Sequence, residues 1–227
     1  MKKKNRNGLI VGTVLLVSFV LWTVAVKFID VQPIGPEGSV VGFATVNRFV
    51  HGLTGANMSL YNITDLLGLV PLGFVMGFGT LGLVQWIKRK KLSLVDKEIW
   101  FLALTYALTI GFYILFELVV INYRPVLVEN ELEASFPSSH TMLACVTLAT
   151  AIFSTHLFTK NKLIKAICVT FAGLLMFVIV VGRLASGVHW FTDIIGGVFL
   201  SASIVMLYLS LVKTFANKEE VINEDIQ

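Results

Sequence analysis

The sequence predicts an all-α integral membrane protein in which six transmembrane helices form one bundle. Its composition is 56% hydrophobic and only 14% charged, whereas a soluble domain carries about 25% charged residues. Six apolar runs are each long enough to cross a bilayer, and most lysines and arginines lie in short segments between those runs. Together these three observations favour a membrane-spanning helical chain over a soluble domain.

Each predicted span is an apolar run close to the roughly 20 residues that a helix needs to cross a bilayer. The runs cover residues 8–29, 61–87, 99–121, 138–158, 164–182 and 191–212. The first follows a basic segment, as a signal peptide does, but its apolar stretch of 9–26 exceeds the roughly 7–15 residues of a signal sequence. We therefore expect a membrane anchor there. Residues 39–58 are only moderately apolar, and we expect a short interfacial helix outside the bilayer core.

The distribution of basic residues predicts the orientation of the bundle. Fourteen of the eighteen lysines and arginines lie in the N-terminus, the loop after the second span, the loop after the fourth span and the C-terminal end. Six spans place these four segments on one side, which the positive-inside rule makes cytoplasmic. Both termini are therefore expected in the cytoplasm. Residues 1–227 are expected to form one domain, with a polar tail at about 217–227 that frays.

Several function classes have little support in the sequence. The net charge of +4 would suit nucleic-acid binding, but no basic stripe with interleaved aromatic residues is present, so we expect no nucleic-acid partner. No CxxC, HExxH or GxGxxG pattern indicates a metal or nucleotide site. Cys145 and Cys168 both lie within apolar runs and are expected to be small buried side chains.

Three polar clusters lie at the predicted outer ends of the spans. The first is Asn-Tyr-Arg-Pro at 122–125, where the third span ends, and the second is Phe-Pro-Ser-Ser-His at 136–140, where the fourth begins. The third consists of Arg183, His189 and Asp193, between the fifth and sixth spans. Alone, each cluster has an ordinary structural explanation, such as a helix stop, an N-cap or a surface hydrogen bond. All three map to one membrane face, however, which favours a functional site.

The residue types in these clusters suit a bound phosphate. Arg124 and Arg183 provide planar guanidinium groups that can each donate two hydrogen bonds to phosphate oxygens. The start of the fourth span provides unpaired backbone N–H groups and the positive end of a helix dipole, beside the hydroxyls of Ser138 and Ser139. We therefore expect these four residues to bind phosphate.

The same clusters contain the groups that phosphoryl transfer needs. His189 and Asp193 are four residues apart and share a face if the sixth span begins near residue 188. The carboxylate can then hold the imidazole in one tautomer, which leaves the other nitrogen free as a nucleophile. His140 is the candidate general acid for the leaving oxygen and the candidate base for a second step with water.

The motifs resemble the three-part signature of the type-2 phosphatidic acid phosphatases, which vanadium haloperoxidases and bacterial class A acid phosphatases share. The matching elements are Arg-Pro at 124–125, Pro-Ser-x-His at 137–140 and Arg-x5-His-x3-Asp at 183–193. The chain is most similar to Gram-positive membrane phosphatidylglycerophosphate phosphatases, and the six-span layout extends the resemblance over most of the chain. The resemblance implies a phosphohistidine at His189, acid catalysis by His140, and neither metal nor cofactor. It also implies roles for Asp193 in orienting that histidine and for Arg124, Arg183, Ser138 and Ser139 in binding phosphate.

Three positions depart from the pattern of that family. Glu117 stands where the first motif usually has a lysine, seven residues before Arg124, and Gly182 and Ser139 replace a usual serine and a usual glycine. On a helix, Glu117 and Arg124 share a face, so we expect Glu117 to brace the arginine and to be a candidate modulator of substrate choice. Asp65, near the outer end of the second span, could line the mouth of the substrate site or cap a helix, and we expect the cap.

The expected function is removal of a terminal phosphate from a lipid of the outer leaflet, at the extracytoplasmic face of a bacterial plasma membrane. The overall resemblance favours phosphatidylglycerophosphate as the substrate, and undecaprenyl pyrophosphate and phosphatidic acid are the alternatives. The expected partners are the bilayer and the lipid phosphate. A transporter or a non-catalytic lipid-binding scaffold is the alternative from another class, but a transporter would be expected to show inverted repeats and broken mid-membrane helices. Here the polar residues crowd one end of the bundle instead.

Overall fold

The computed structural model describes residues 3–224, with the side chains of residues 6–215. Within these residues the chain forms eight α-helices and isolated β-bridges but no β-strand. The helices are α1 (Lys3–Phe28), α2 (Ala44–Thr54), α3 (Met58–Leu67), α4 (Leu69–Arg89), α5 (Lys97–Leu118), α6 (Ser139–Phe158), α7 (Lys162–Ala185) and α8 (Phe191–Glu224).

Six segments of the described chain are long and apolar enough to cross a membrane, which confirms the predicted fold class. The second segment consists of α3 and α4 together, and the others lie in α1, α5, α6, α7 and α8. The last helix is longer than the predicted sixth span, because no glycine or proline interrupts the chain after residue 197. Part of the predicted polar tail, 217–224, therefore belongs to α8, and residues 225–227 lie outside the described residues.

A proline breaks the second span into two helices. Pro71 has no N–H to donate to the carbonyl of Leu67, and its ring crowds that carbonyl, so the helix is interrupted between α3 and α4. At the break, the backbone N–H of Gly68 bonds to the carbonyls of Thr64 and Asp65, over 3.1 and 3.0 Å. The interruption lets α3 pack against α7 while α4 packs against α6.

The bundle is built around α6 and α8, which are the most buried of the six spans. Helix α8 packs against α1, α5 and α6, and α6 also packs against α7. Phe136, just before α6, stacks on Phe19 of α1 at 6.2 Å between ring centroids and meets Phe116 of α5 edge-on at 5.9 Å. This aromatic cluster fixes the loop before α6 to the core.

The predicted interfacial helix corresponds to α2. Its buried face contains Asn47, whose amide donates to Gly42 O over 2.8 Å and to Thr192 Oγ1 over 3.0 Å, while its carbonyl oxygen accepts from Thr192 N over 3.2 Å. These bonds attach α2 to the start of α8. The opposite face exposes large apolar side chains, namely Val46, Phe49 and Leu53.

The third span ends earlier than predicted. Helix α5 stops at Leu118, before the β-branched run of 119–121, and the following loop folds back on itself through bridges between Tyr123 and Ala134 and between Val128 and Glu131. Arg124 therefore lies in this loop and not on the helix. The expectation that Glu117 and Arg124 share a helix face is wrong for that reason. We call the end of the bundle with the loops 119–138 and 186–190 the site end.

Candidate active site

The site end brings the predicted functional residues together from four parts of the chain. The loop after α5 provides Arg124, and the end of α7 provides Arg183. The start of α6 provides Ser138, Ser139 and His140, while His189 lies in the loop before α8 and Asp193 in its first turn. The two arginines both lie against the ring of Tyr61 from α3, with their guanidinium carbons 4.6 Å (Arg183) and 5.8 Å (Arg124) from its centroid. These contacts place both cations next to Tyr61.

Arg183 is fully buried, with 0% of its surface exposed. Its Nη2 lies 3.5 Å from His189 Nε2, and its Nη1 lies 3.5 Å from Asp65 Oδ1. Its Nε is buried and has no hydrogen-bond partner among the described residues. A buried donor without a partner is costly, so this guanidinium is suited to receive an anion.

Arg124 is braced by a residue that the sequence did not indicate. Its Nε lies 3.0 Å from Glu133 Oε2, in an ion pair that lacks the alignment of a hydrogen bond. Its Nη1 is buried without a hydrogen-bond partner in the described part of the chain. The bracing carboxylate therefore comes from the second half of the 119–138 loop. Glu117, Arg124 and Glu133 line one cavity.

The two serines at the start of α6 differ in their surroundings. Ser138 is fully buried, its hydroxyl accepts from Thr141 N over 3.4 Å as the N-cap of α6, and its N–H donates to Asp193 O over 3.1 Å. Ser139 is half-buried and, together with His140, lines the same cavity as Arg124. Ser138 thus joins the starts of α6 and α8, and Ser139 faces the cavity.

His189 is held in one tautomer by a backbone carbonyl. Its Nδ1 lies 3.2 Å from Ser135 O, and because a carbonyl only accepts hydrogen bonds, we assign the proton to Nδ1. Nε2 is then unprotonated and lies beside Arg183. Burial, with the nearby charges of Arg124 and Arg183, holds the pKa of His189 well below its ordinary value. The neutral ring therefore offers Nε2 as a nucleophile.

Asp193 contacts His189 less directly than the spacing predicts. Helix α8 begins at Phe191, so His189 precedes the helix, and the two side chains do not share a helix face. The carboxylate accepts from Trp190 N over 2.9 Å and from Asn122 Nδ2 over 3.4 Å, and its Oδ2 lies 3.8 Å from His189 Nδ1. Asp193 therefore fixes the loop that carries His189 and provides a buried negative charge beside the ring.

His140 pairs with a carboxylate that Arg183 also contacts. Its Nε2 lies 3.1 Å from Asp65 Oδ1, and its Nδ1 is buried without a hydrogen-bond partner among the described residues. Asp65 lies in the last turn of α3 and caps no helix start, so the expected capping role is wrong. Its partners come from α6 and α7, which a local sequence pattern does not show.

Two cavities meet at His140 and Ser139. The first, of about 580 Å³, is polar and is lined by charged and aromatic side chains, including Arg124, Glu117 and Glu133. The second, of about 260 Å³, is almost entirely apolar and lies between α4, α5 and α6. Its walls include Leu72, Ile110 and Leu143. A charged group beside an apolar space suits a molecule with a polar head and a hydrocarbon chain.

The geometry therefore combines anion binding with a nucleophile and a second histidine. Arg183 lies beside His189 Nε2, and both guanidinium groups contact the ring of Tyr61, while His140 meets the same carboxylate as Arg183. Such a set of donors suits a tetrahedral phosphate. In the described part of the chain, no three histidine, cysteine or acidic side chains are grouped so that they could hold a metal ion.

A family model described as the PAP2 superfamily matches residues 98–216. The chain belongs to the PAP2 superfamily. Among solved structures, it is similar to the first transmembrane PAP2-type phosphatidylglycerolphosphate phosphatase from Bacillus subtilis, with a TM-score of 0.63, 16% identity, and coverage of 89% of this chain and 96% of that one. The LpxE structure from Aquifex aeolicus matches with a TM-score of 0.43, 22% identity, and coverage of 74% and 96%. No curated protein matches the chain.

The matched PAP2 region contains all the predicted site residues but not the whole site. Tyr61 and Asp65, which contact the two arginines and His140, lie before residue 98. Ser135 acts through its backbone carbonyl, which no side-chain pattern reveals. No sequence pattern distinguishes Glu133 from the other acidic residues of its loop. Asn122 stood within the first cluster without an assigned role, although its burial beside Asp193 makes it part of the support.

Proposed function

We propose that this chain is a metal-independent membrane lipid phosphatase that works through a phosphohistidine at His189. The observation that carries the proposal is the buried, unprotonated Nε2 of His189 beside the guanidinium of Arg183. A neutral imidazole next to fixed cations can attack phosphorus while the cations neutralise the phosphoryl oxygens. The adjoining apolar cavity supports a lipid substrate.

In the first step, the phosphate lies between Arg124, Arg183 and the start of α6. His189 Nε2 attacks phosphorus, an N–P bond forms, and the P–O bond to the lipid breaks. His140 gives its proton to the leaving oxygen, so that the lipid departs as an alcohol. His189 Nδ1 keeps its proton and donates it in the hydrogen bond to Ser135 O, and Asp193 offsets the positive charge that develops on the ring.

In the second step, water hydrolyses the phosphohistidine. His140, now neutral, takes a proton from the water as its oxygen attacks phosphorus. The N–P bond breaks, inorganic phosphate leaves, and His189 returns to its neutral form. His140 recovers the proton that the next cycle needs, so the enzyme is unchanged.

The proposed substrate is phosphatidylglycerophosphate, which would be converted to phosphatidylglycerol at the outer leaflet of a bacterial plasma membrane. Support comes from the motifs, from the fold shared with a protein described as a phosphatidylglycerolphosphate phosphatase, and from the adjacent polar and apolar cavities. The lipid would enter sideways between α4 and α5, with its tails among the spans. The orientation predicted from basic residues places the site end on the extracytoplasmic side.

The test is phosphate release by purified protein with EDTA present. Wild type, His189→Ala and the control His156→Ala are compared on phosphatidylglycerophosphate, undecaprenyl pyrophosphate and phosphatidic acid. His156 is exposed and lies far along α6 from the site, so its variant should match wild type. We expect release to be fastest from phosphatidylglycerophosphate and to be lost in His189→Ala. A preference for another lipid would correct the substrate, and release by His189→Ala would overturn the mechanism.

A further inference from the structure

A carboxylate without a role in the proposed reaction lies against the proposed general acid. Asp65 Oδ1 is 3.1 Å from His140 Nε2 and 3.5 Å from Arg183 Nη1. We propose that Asp65 is a positioning residue that fixes the ring of His140 and favours its protonated form for transfer to the leaving oxygen. The catalytic half of this inference rests on the proposed phosphatase function, whereas the effect on His140 itself does not.

The exposure of Asp65 argues against a purely structural ion pair. Its side chain is 48% exposed, while those of His140 and Arg183 are 25% and 0% exposed. Ion pairs with a solvated partner contribute little to stability. A carboxylate held at short range can still favour the protonated form of an imidazole. The contact is therefore suited to setting the charge of His140.

Two glycines allow α3 to bring Asp65 into the site. A Cβ on Gly182 of α7 would lie 2.5 Å from Thr64 Cγ2, and a Cβ on Gly68 would lie 2.7 Å from His140 Cδ2. Thr64 has little freedom to move, since it is buried and its hydroxyl bonds to backbone carbonyls of α3 over 2.9 and 3.0 Å. The close approach of α3 to α7 and α6 thus depends on the absence of side chains at both positions.

The charges around His140 make Asp65 important. Nearby cations disfavour a protonated imidazole, whereas a carboxylate in contact favours it. Asp65 is the carboxylate in contact with the His140 ring, and its Oδ1 also meets the cation of Arg183. Other groups facing the same space are His189 from the loop before α8 and, in the cavity wall, Tyr113, Glu117, Tyr123 and Glu133. Glu133 is already paired with Arg124. Without Asp65, the cations should remove the proton from His140 at a lower pH.

The direct test follows the His140 ring by NMR in protein with isotope-labelled histidine. The chain has four histidines, and the signal of His140 is assigned from its loss in His140→Gln. In Asp65→Asn, which keeps the shape and removes the charge, we expect the titration midpoint of His140 to move down by about one pH unit or more. In Asp30→Asn, a control at an exposed site-end carboxylate, it should not move. An unchanged midpoint in Asp65→Asn would overturn the inference, whether or not the protein is a phosphatase.

Kinetics test the catalytic half. Asp65→Asn should lower kcat by roughly ten-fold or more with a smaller change in KM, and move the alkaline limb of the pH profile to lower pH. Asp65→Glu should recover part of the loss, and Asp30→Asn should behave as wild type. Inactive wild-type protein would contradict the proposed function and leave the NMR result to decide on Asp65. An active wild type matched by Asp65→Asn in kcat and pH profile would contradict this inference alone.

A backbone variant tests how Asp65 reaches the site. Gly182→Ala should displace Thr64 and move the titration midpoint of His140 in the same direction as Asp65→Asn. The double variant should shift this midpoint no further than the larger of the two single shifts. Gly173→Ala, also in α7, meets no atom within 4 Å of its new Cβ and is the matched control. A normal midpoint in correctly folded Gly182→Ala, checked by its thermal stability, would show that this packing does not hold Asp65 in place.

Discussion

The two ends of the bundle use the same kinds of charged side chain in different surroundings. At the end away from the site, Arg89 Nη1 lies 2.6 Å from Asp96 Oδ1, with 41% and 32% of the two side chains exposed. Gln85 Nε2 donates to the same carboxylate over 2.7 Å, which closes the turn between α4 and α5. At the site end, the side chains of Arg124 and Arg183 are only 9% and 0% exposed.

The difference separates a charge that is paired at the surface from charges whose donors are buried. Arg89 meets a carboxylate and has access to water, so little is gained or lost when the pair breaks. Arg124 Nη1 and Arg183 Nε are buried and have no hydrogen-bond partner among the described residues. Buried donors of this kind weaken a fold unless an anion satisfies them. Buried nitrogen atoms without hydrogen-bond partners, and not charge alone, thus distinguish the two arginines that we propose bind phosphate.

The largest expected effect comes from changing the buried arginine. Arg183→Lys keeps the charge but loses the planar fork and the contact with Tyr61, so we expect kcat/KM to fall by about 10³-fold. The matched change at the other end, Arg89→Lys, should leave kcat/KM nearly unchanged. Both are measured as phosphate release from phosphatidylglycerophosphate. A similar fall of kcat/KM in both variants would contradict the proposed difference between the two ends of the bundle.

A smaller effect is expected from a buried polar residue that is fully paired. Asn47→Ala removes three hydrogen bonds and leaves the N–H of Thr192 without its partner, which should lower the free energy of unfolding by about 2 kcal/mol. Val46→Ala, on the exposed face of α2, is the control. Thermal unfolding in detergent measures both. Equal stability of the two variants would contradict the anchoring role of Asn47.

The pH dependence of stability tests the burial of His189. In the unfolded chain this histidine takes up a proton near its ordinary pKa of about 6.5, whereas burial keeps the pKa lower in the folded protein. Stability from this group is therefore complete above that pH and is lost as the pH falls below it, by up to about 1.4 kcal/mol per unit. His189→Gln should lose less stability than wild type between pH 6.5 and 5. Parallel curves would contradict a neutral, buried His189.

The smallest effect is expected at the exposed ion pair. Arg89→Ala should lower the free energy of unfolding by about 0.2–1 kcal/mol, and added salt should reduce the difference because exposed pairs are screened. Thermal unfolding at low and high ionic strength gives the comparison. A larger loss of unfolding free energy that salt does not change would show that this pair stabilises the fold as a buried ion pair does.

The sequence predicted most of the fold because the signals for membrane spans are local. A run of about 20 apolar residues identifies a span without reference to the rest of the chain. The end of α5 was placed too late, since 119–121 are apolar but lie outside the helix, and apolarity alone does not show where a helix ends. The break at Gly68 was missed, although Pro71 was a visible signal for it.

The site was predicted where motifs identify chemistry and missed where tertiary contacts do. His140, His189, Asp193 and both arginines occupy one site because their motifs lie at the same end of successive spans. Asp65 is 118 residues from Arg183 along the chain, and its role depends on how α3 packs on α7. The partner of His189 Nδ1 is a main-chain oxygen of a loop. Neither contact follows from residue type or spacing.

The most direct test of the central claim is detection of the phosphorylated intermediate. Wild-type protein and His189→Ala are mixed with phosphatidylglycerophosphate carrying a labelled terminal phosphate, quenched with base within milliseconds, and analysed for label on the protein. We predict that wild type carries transient label that is lost in acid and stable in base, as expected of a phosphohistidine, and that His189→Ala carries none. Phosphate release without protein-bound label, or label that persists in His189→Ala, would contradict the account.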